Sequence, residues 1–79
     1  MNRKQQQTLE RIREKPTRSD VKYSDVVSLI SGLGGSIIEG SGSRVQFRLG
    51  EKRLNIHRPH PQKELKRYAV ELFREFLGK

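Results

Sequence analysis

The sequence predicts an α+β domain of two layers, with a three-stranded antiparallel sheet covered on one face by two helices and an extra helix at the N-terminus. Three observations lead there. Apolar residues recur at helical spacing in two stretches, residues 24–33 and 64–77. Between them, the residues from Arg44 to His57 alternate apolar and polar on either side of Gly50-Glu51, the pattern of a half-buried hairpin. Glycine, proline and serine cluster at Gly34-Gly35, Gly40-Ser41-Gly42-Ser43 and Pro59-His60-Pro61, where one element has to give way to the next.

Taken in order, residues 3–14 are good helix formers without Gly or Pro, but only Leu9 and Ile12 are apolar, so this first helix is expected to be weakly anchored. Pro16 ends it, and the polar stretch through Asp20 reads as a linker. The expected division is therefore residues 1–20 as helix and linker and residues 21–79 as the folded domain. In the second helix Ser24 is the expected N-cap, Asp25 lies in the first turn, and Val26, Val27, Leu29, Ile30 and Leu33 form the apolar face. Either Gly34 or Gly35 can supply the left-handed residue that closes it.

Ser36-Ile37-Ile38-Glu39 reads as a first strand. In the next two, Val45, Phe47, Leu49, Leu54 and Ile56 point to the core, which leaves Arg44, Arg48, Arg53 and His57 together on the solvated side. Pro59 and Pro61 permit neither strand nor helix, so the chain must turn a corner there. From Glu64, a last helix carries Leu65, Tyr68, Ala69, Leu72, Phe73 and Phe76 toward the sheet, ending at Gly78. With Phe47, Tyr68, Phe73 and Phe76 all on expected core faces, no exposed stacking platform for bases is anticipated.

Seventy-nine residues suffice for one domain with a small core. The absence of cysteine excludes a disulfide framework and thiolate zinc sites, and makes a reducing cytoplasm the default expectation. No apolar run approaches the roughly 20 residues that span a bilayer, and the N-terminus lacks the apolar segment of a signal peptide, so no membrane partner is expected. Seventeen Lys and Arg against nine Asp and Glu give a net charge of +8. The excess is local: between residues 44 and 68, eight Lys or Arg stand against two Glu. Such a concentration favours a polyanion through counterion release, and nucleic acid is the partner class it indicates. Imidazole is the side chain whose ordinary proton affinity lies near neutrality, and both histidines, His57 and His60, fall within this basic region. Proton-transfer groups among cations suit binding of, or chemistry on, a phosphodiester.

The helix ending in Leu33-Gly34-Gly35, the Gly42-Ser43 entry to a basic strand pair, and His60-Pro61-Gln62-Lys63-Glu64-Leu65-Lys66 before the last helix together resemble the HicA toxin family over about residues 23 to 78. The resemblance implies a fold like a double-stranded-RNA-binding domain, metal-independent cleavage of messenger RNA, and neutralisation by a HicB-type antitoxin. Family members typically carry a histidine shortly after the Gly-Ser pair, regarded as catalytic; here Gly42-Ser43 is followed by Arg44-Val45-Gln46. Three alternatives stay open: His57 substitutes from the neighbouring strand, His60 carries the chemistry, or the chain binds RNA or antitoxin without cutting.

Metal-free RNA cleavage needs a base at the ribose 2′-hydroxyl, an acid at the leaving oxygen and cations on the phosphorane-like oxygens. His57 is the preferred base, with Arg44 or Arg48 on the phosphate and His60 with Lys63 positioning substrate or assisting proton transfer. Arg53, Arg58 and Lys66 complete the expected RNA-binding set. The bland alternatives are an ordinary polar residue on a solvated strand for His57 and a turn-holding imidazole for His60. His57-x-x-His60 with no nearby cysteine or well-placed carboxylate is an incomplete metal site, so neither metal nor cofactor is expected.

Overall fold

The computed structural model describes residues 1–78. Its elements are α1 (Arg3–Arg13), α2 (Tyr23–Gly32), β1 (Ser36–Glu39), β2 (Arg44–Leu49), β3 (Lys52–His57) and α3 (Arg67–Leu77). The three strands form one antiparallel sheet in the order β1-β2-β3. This is the α+β, double-stranded-RNA-binding-like arrangement that the sequence predicts, with α2 and α3 on one face and α1 added outside them.

Alternation along the strands decides which face is buried. Val45, Phe47 and Ile56 point beneath the helices and are at most 6% exposed, with Ile37, Leu49 and Leu54 packed beside them. Phe47 sits on the central strand, with its ring 4.9 Å from that of Phe73 in an edge-to-face contact and 6.1 Å from that of Tyr23. Leu29 and Ile30 of α2 and Ala69, Val70, Phe73 and Phe76 of α3 complete the layer.

Two glycines at the end of α2 serve different needs. Gly34 has φ +91°, a conformation that side chains resist, and turns the chain out of the helix. Gly35 donates its N–H to Ile30 O at 2.9 Å and lies so close to β2 that an added Cβ would sit 2.5 Å from the Arg48 carbonyl oxygen.

The helix starts differ from the sequence expectation, and one interaction explains both. Lys22 and Glu64 form a short antiparallel bridge, in which Tyr23 N–H donates to Lys63 O at 2.9 Å and Leu65 N–H to Val21 O at 2.8 Å. The Tyr23 donor is thus satisfied by a distant carbonyl, so α2 begins at Tyr23 with Lys22 as its N-cap, and the expected Ser24 cap is not used. The same bridge holds residues 63–65 extended, so α3 begins at Arg67 instead of Glu64, with Lys66 as its N-cap. Leu65 is still a core residue, 2% exposed, but reaches the core from the bridge. α3 turns Ala69, Val70, Phe73 and Phe76 to the core, which leaves Tyr68 and Leu72 56% and 38% exposed, where the sequence placed them inside.

The first helix is anchored more firmly than its two apolar residues suggest. Asn2 and Gln5 form a reciprocal capping box, at 2.8 and 2.9 Å. Gln5 Nε2 then reaches α2, donating to Ser28 O at 2.8 Å. At the other end, Arg74 of α3 donates from Nε to Ile12 O at 3.0 Å and from Nη2 to Glu14 O at 2.8 Å, satisfying carbonyls that a helix end leaves without partners. Ile12 is fully buried between these helices. In the connecting segment, Arg18 grips Asp20 through two hydrogen bonds of 2.8 and 2.7 Å, which holds the Asp20 carboxyl down at a pKa of about 2. Replacing Ile12 by Ala is expected to destabilise the whole domain by about 2–5 kcal/mol, the usual cost of emptying a buried aliphatic site. Urea unfolding measures it, and a change below about 0.5 kcal/mol, typical of a surface site, would mean that α1 contributes nothing to the fold.

Candidate functional site

The β2–β3 register brings the basic residues together. Counted back from the Gly50 turn, Leu49 faces Lys52, Arg48 faces Arg53, Gln46 faces Asn55, and Arg44 faces His57. All six residues from Arg44, Gln46 and Arg48 on one strand and Arg53, Asn55 and His57 on the other lie on the open side of the sheet, away from α2 and α3. Gln46 donates to Asn55 Oδ1 at 3.0 Å and accepts from Arg48 Nε at 2.6 Å. That small network fixes the middle of the face and holds the Arg48 guanidinium along the strand. Like charges on Arg48 and Arg53 at paired positions repel, a local cost that an anion bound over them would relieve.

His57 ends β3. Its Nδ1 is 3.2 Å from Ser43 Oγ, and the following residue, Arg58, donates its N–H to Ser43 O at 2.7 Å, so the Gly42-Ser43 turn clamps the strand end on which the imidazole stands. Gly42, with φ +66°, makes the reversal that brings Ser43 there. The contact uses one ring nitrogen and leaves Nε2 without a protein partner among the described residues. Arg58 swings to the other side of the sheet edge and pairs with Glu39 at 3.3 Å.

Two clefts meet at His57. The larger, about 590 Å³, is a shallow trough on the open sheet face between the Gly40-Ser41 loop, Arg44 and Asn55, with the side chain of Ile38, 42% exposed, at one wall. The smaller, about 140 Å³, lies in the corner between β3 and α3 and is bordered by both imidazoles, His57 and His60, together with Arg58 and Lys66. His57 borders both. Of the residues singled out in the sequence, Arg44, Arg48, Arg53 and His57 therefore share the sheet face, while Arg58, His60 and Lys66 gather around the corner. Lys63 borders neither cleft; its backbone is engaged in the bridge to α2 and its side chain is exposed. Lys66 is the N-cap of α3, at the helix end that favours anions, and Lys63 lies outside that helix.

Among the described residues, no group of three or more His, Asp or Glu is placed to hold a metal ion. Nor is any helix among the described residues long and apolar enough to cross a membrane.

The arrangement of a basic hairpin, a Gly-Ser turn against its rim and a His-Pro corner leading into α3 occupies the segment that matches a known family: residues 23–74 fit the family described as HicA toxin of bacterial toxin-antitoxin. The chain belongs to the HicA toxin family. It is thus the toxin of a toxin–antitoxin system, and membership implies a cognate antitoxin as its partner. No curated protein and no solved structure matches the chain. The matched segment of the toxin opens at the first residue of α2 and closes within α3, so it contains the sheet, both clefts and the His-Pro corner, while α1 lies before it.

Three features of the toxin's site escape a reading of the sequence: the Ser43 hydroxyl beside His57, the Gln46–Asn55–Arg48 network, and the exposed ring of Tyr68. The first two follow once the hairpin register is counted from Gly50, because that count puts Gln46 against Asn55 and the Gly42-Ser43 turn beside the end of β3. The third depends on which face α3 turns to the core, and that face, through Ala69, Val70, Phe73 and Phe76, leaves Tyr68 outside.

Proposed function

We propose that this toxin is a metal-independent endoribonuclease that cuts messenger RNA, with the basic sheet face as its substrate surface and a HicB-type antitoxin that silences it by covering that face. The observation that carries the reading is the position of His57: opposite Arg44 across the hairpin, Nδ1 against Ser43, at the meeting of both clefts. A base tethered through one nitrogen and open at the other can take the proton of a ribose 2′-hydroxyl. The freed oxygen attacks the adjacent phosphorus, the bond from phosphorus to the 5′-oxygen breaks, and a 2′,3′-cyclic phosphate and a 5′-hydroxyl result. His60, on the border of the same small cleft, supplies the proton to the leaving oxygen. Arg44 stabilises the charge that builds on the phosphoryl oxygens, and Arg48, Arg53, Arg58 and Lys66 hold the neighbouring phosphates. Lys63, outside both clefts, contributes at longer range.

Arg44 supports a second reading as well. It belongs to the Arg44-Val45-Gln46 run that follows Gly42-Ser43, where the resemblance places a histidine, and a chain that kept the basic face but not the chemistry would bind RNA or antitoxin without cutting. Incubating the purified toxin with labelled messenger RNA in the presence of a chelator separates the two. Cleavage to products ending in cyclic phosphate is expected. Intact RNA whose binding weakens with salt would leave the binding module standing in place of the enzyme.

The binding arm has its own expected result. Each phosphate neutralised on a single strand contributes about 0.7 to the slope of log affinity against log salt. Arg44→Ala and Arg53→Ala should each make that slope shallower by about this amount, as read by fluorescence anisotropy across a salt series. A slope unchanged in both variants would mean that the sheet face does not carry the RNA.

A further inference from the structure

The small cleft at the corner holds more than the two imidazoles. Its floor is apolar, made by Leu65, 2% exposed, and Ala69, 4% exposed. Pro59, Gln62, Lys66 and Tyr68, the last 56% exposed, also line it. Tyr68 is out of keeping with the other aromatics of the chain. Phe47, Phe73 and Phe76 are buried, and Tyr23 packs edge-on against Phe47. Tyr68 alone carries a large ring at the surface, directly beside two of the best buried positions of α3, Ala69 and Val70. Folding does not call for a ring there.

We propose that this cleft is a subsite for one unstacked nucleobase of the RNA, with the base lying on the Tyr68 ring. The proposal rests on the ribonuclease reading and goes beyond it by naming the substrate class as single-stranded RNA with one base turned into the protein. The space, about 140 Å³, suits one planar ring system and is too small for a base pair. An aromatic face over an apolar floor is the surface on which single-stranded bases stack, largely without regard to sequence. The carboxamide of Gln62 offers both a donor and an acceptor to the edge of the base, and is where any preference among bases would arise. Because His57 borders this cleft and the sheet-face trough alike, a base seated on Tyr68 places its own nucleotide next to the imidazole, with the following phosphates running toward Arg44. Duplex RNA cannot enter this way without unpairing, so the cleft selects loops and unstructured message.

The test begins by mapping the cleavage step and replacing the ribose there by 2′-deoxyribose, which leaves a strand that binds but cannot be cut. Abasic sites are then placed one at a time on either side of that step, and affinities are measured for the native toxin, Tyr68→Ala and Tyr68→Phe. Removing a stacked base is expected to weaken binding about 10- to 100-fold at one position. In Tyr68→Ala the intact strand should bind weaker by a similar factor, with no further loss when that base is missing, while Tyr68→Phe should behave as the native protein does. Penalties that multiply at every position, or an alanine variant that binds as tightly as the native toxin, would overturn the subsite. Tyr68→Leu, which keeps apolar bulk but no ring face, gives the same readout if the alanine variant has a lowered thermal midpoint. A native toxin that does not cut the all-ribose strand would overturn the ribonuclease reading itself, and with it the subsite, a result distinguishable because it precedes any base removal.

Discussion

Replacing His57 by Ala is expected to slow RNA cleavage by about 10²- to 10⁴-fold, the range over which a positioned general acid or base contributes. The thermal midpoint should stay where it is, because His57 is exposed and its one side-chain hydrogen bond among the described residues is with Ser43 Oγ at 3.2 Å. Surface changes of that kind fall within about 0.5 kcal/mol. His60→Ala is the informative companion. If His60 donates the proton to the leaving oxygen, its loss should be comparable on messenger RNA but nearly absent on a substrate whose leaving group needs no proton, such as a nitrophenyl phosphodiester of uridine. His57→Ala should impair both substrates, since the 2′-hydroxyl must lose its proton in either. A His57→Ala toxin that still cuts RNA within about threefold of the native rate, well short of a general-base contribution, would remove His57 from the chemistry and leave His60 to be considered alone. Growth arrest on expression without antitoxin gives the cellular form of the same measurement.

The second large effect is on stability. Phe47 is fully buried on the central strand, with rings of Tyr23 and Phe73 against it. Phe47→Ala should cost about 3–5 kcal/mol, the transfer term plus the cavity left behind. Small domains have roughly 0.05–0.15 kcal/mol of stability per residue, so one substitution removes a large share of what this chain has. The expected result is partial unfolding at physiological temperature, read by urea titration and by the loss of amide-proton dispersion. Phe47→Leu, which keeps most of the volume, should cost about 1.5 kcal/mol or less. Because Arg48 and Gln46 flank Phe47 on the opposite face, the alanine variant should also lose RNA binding, but only in proportion to the fraction unfolded. A loss below about 1 kcal/mol, far under the usual range for a buried aromatic, would mean that α2 and α3 close over the cavity.

The sheet and its two faces are legible in the chain because strand alternation is a local property. Val45, Phe47, Leu54 and Ile56 cannot face the core without Arg44, Arg48, Arg53 and His57 facing the other way, whatever the rest of the molecule does. The basic face and the imidazole at its rim were therefore determined by the order of residues alone, and so was the turn at Gly50. The His-Pro corner was legible for a similar reason, since two prolines within three residues forbid any regular element.

What the sequence could not decide depends on residues far apart in it. Arg74 caps α1 across 62 positions. The start of α3 is set by hydrogen bonds that involve Val21 and Tyr23, so it lies at Arg67 and not at Glu64, and the face it buries runs through Val70, which leaves Tyr68 outside. Periodicity reports which residues can share a face; it carries no information about where a distant strand has already taken the backbone's donors and acceptors. Only the tertiary structure places His57 between two clefts and leaves the Tyr68 ring open to one of them, because each of those positions is fixed by a contact with a partner that local pattern does not see.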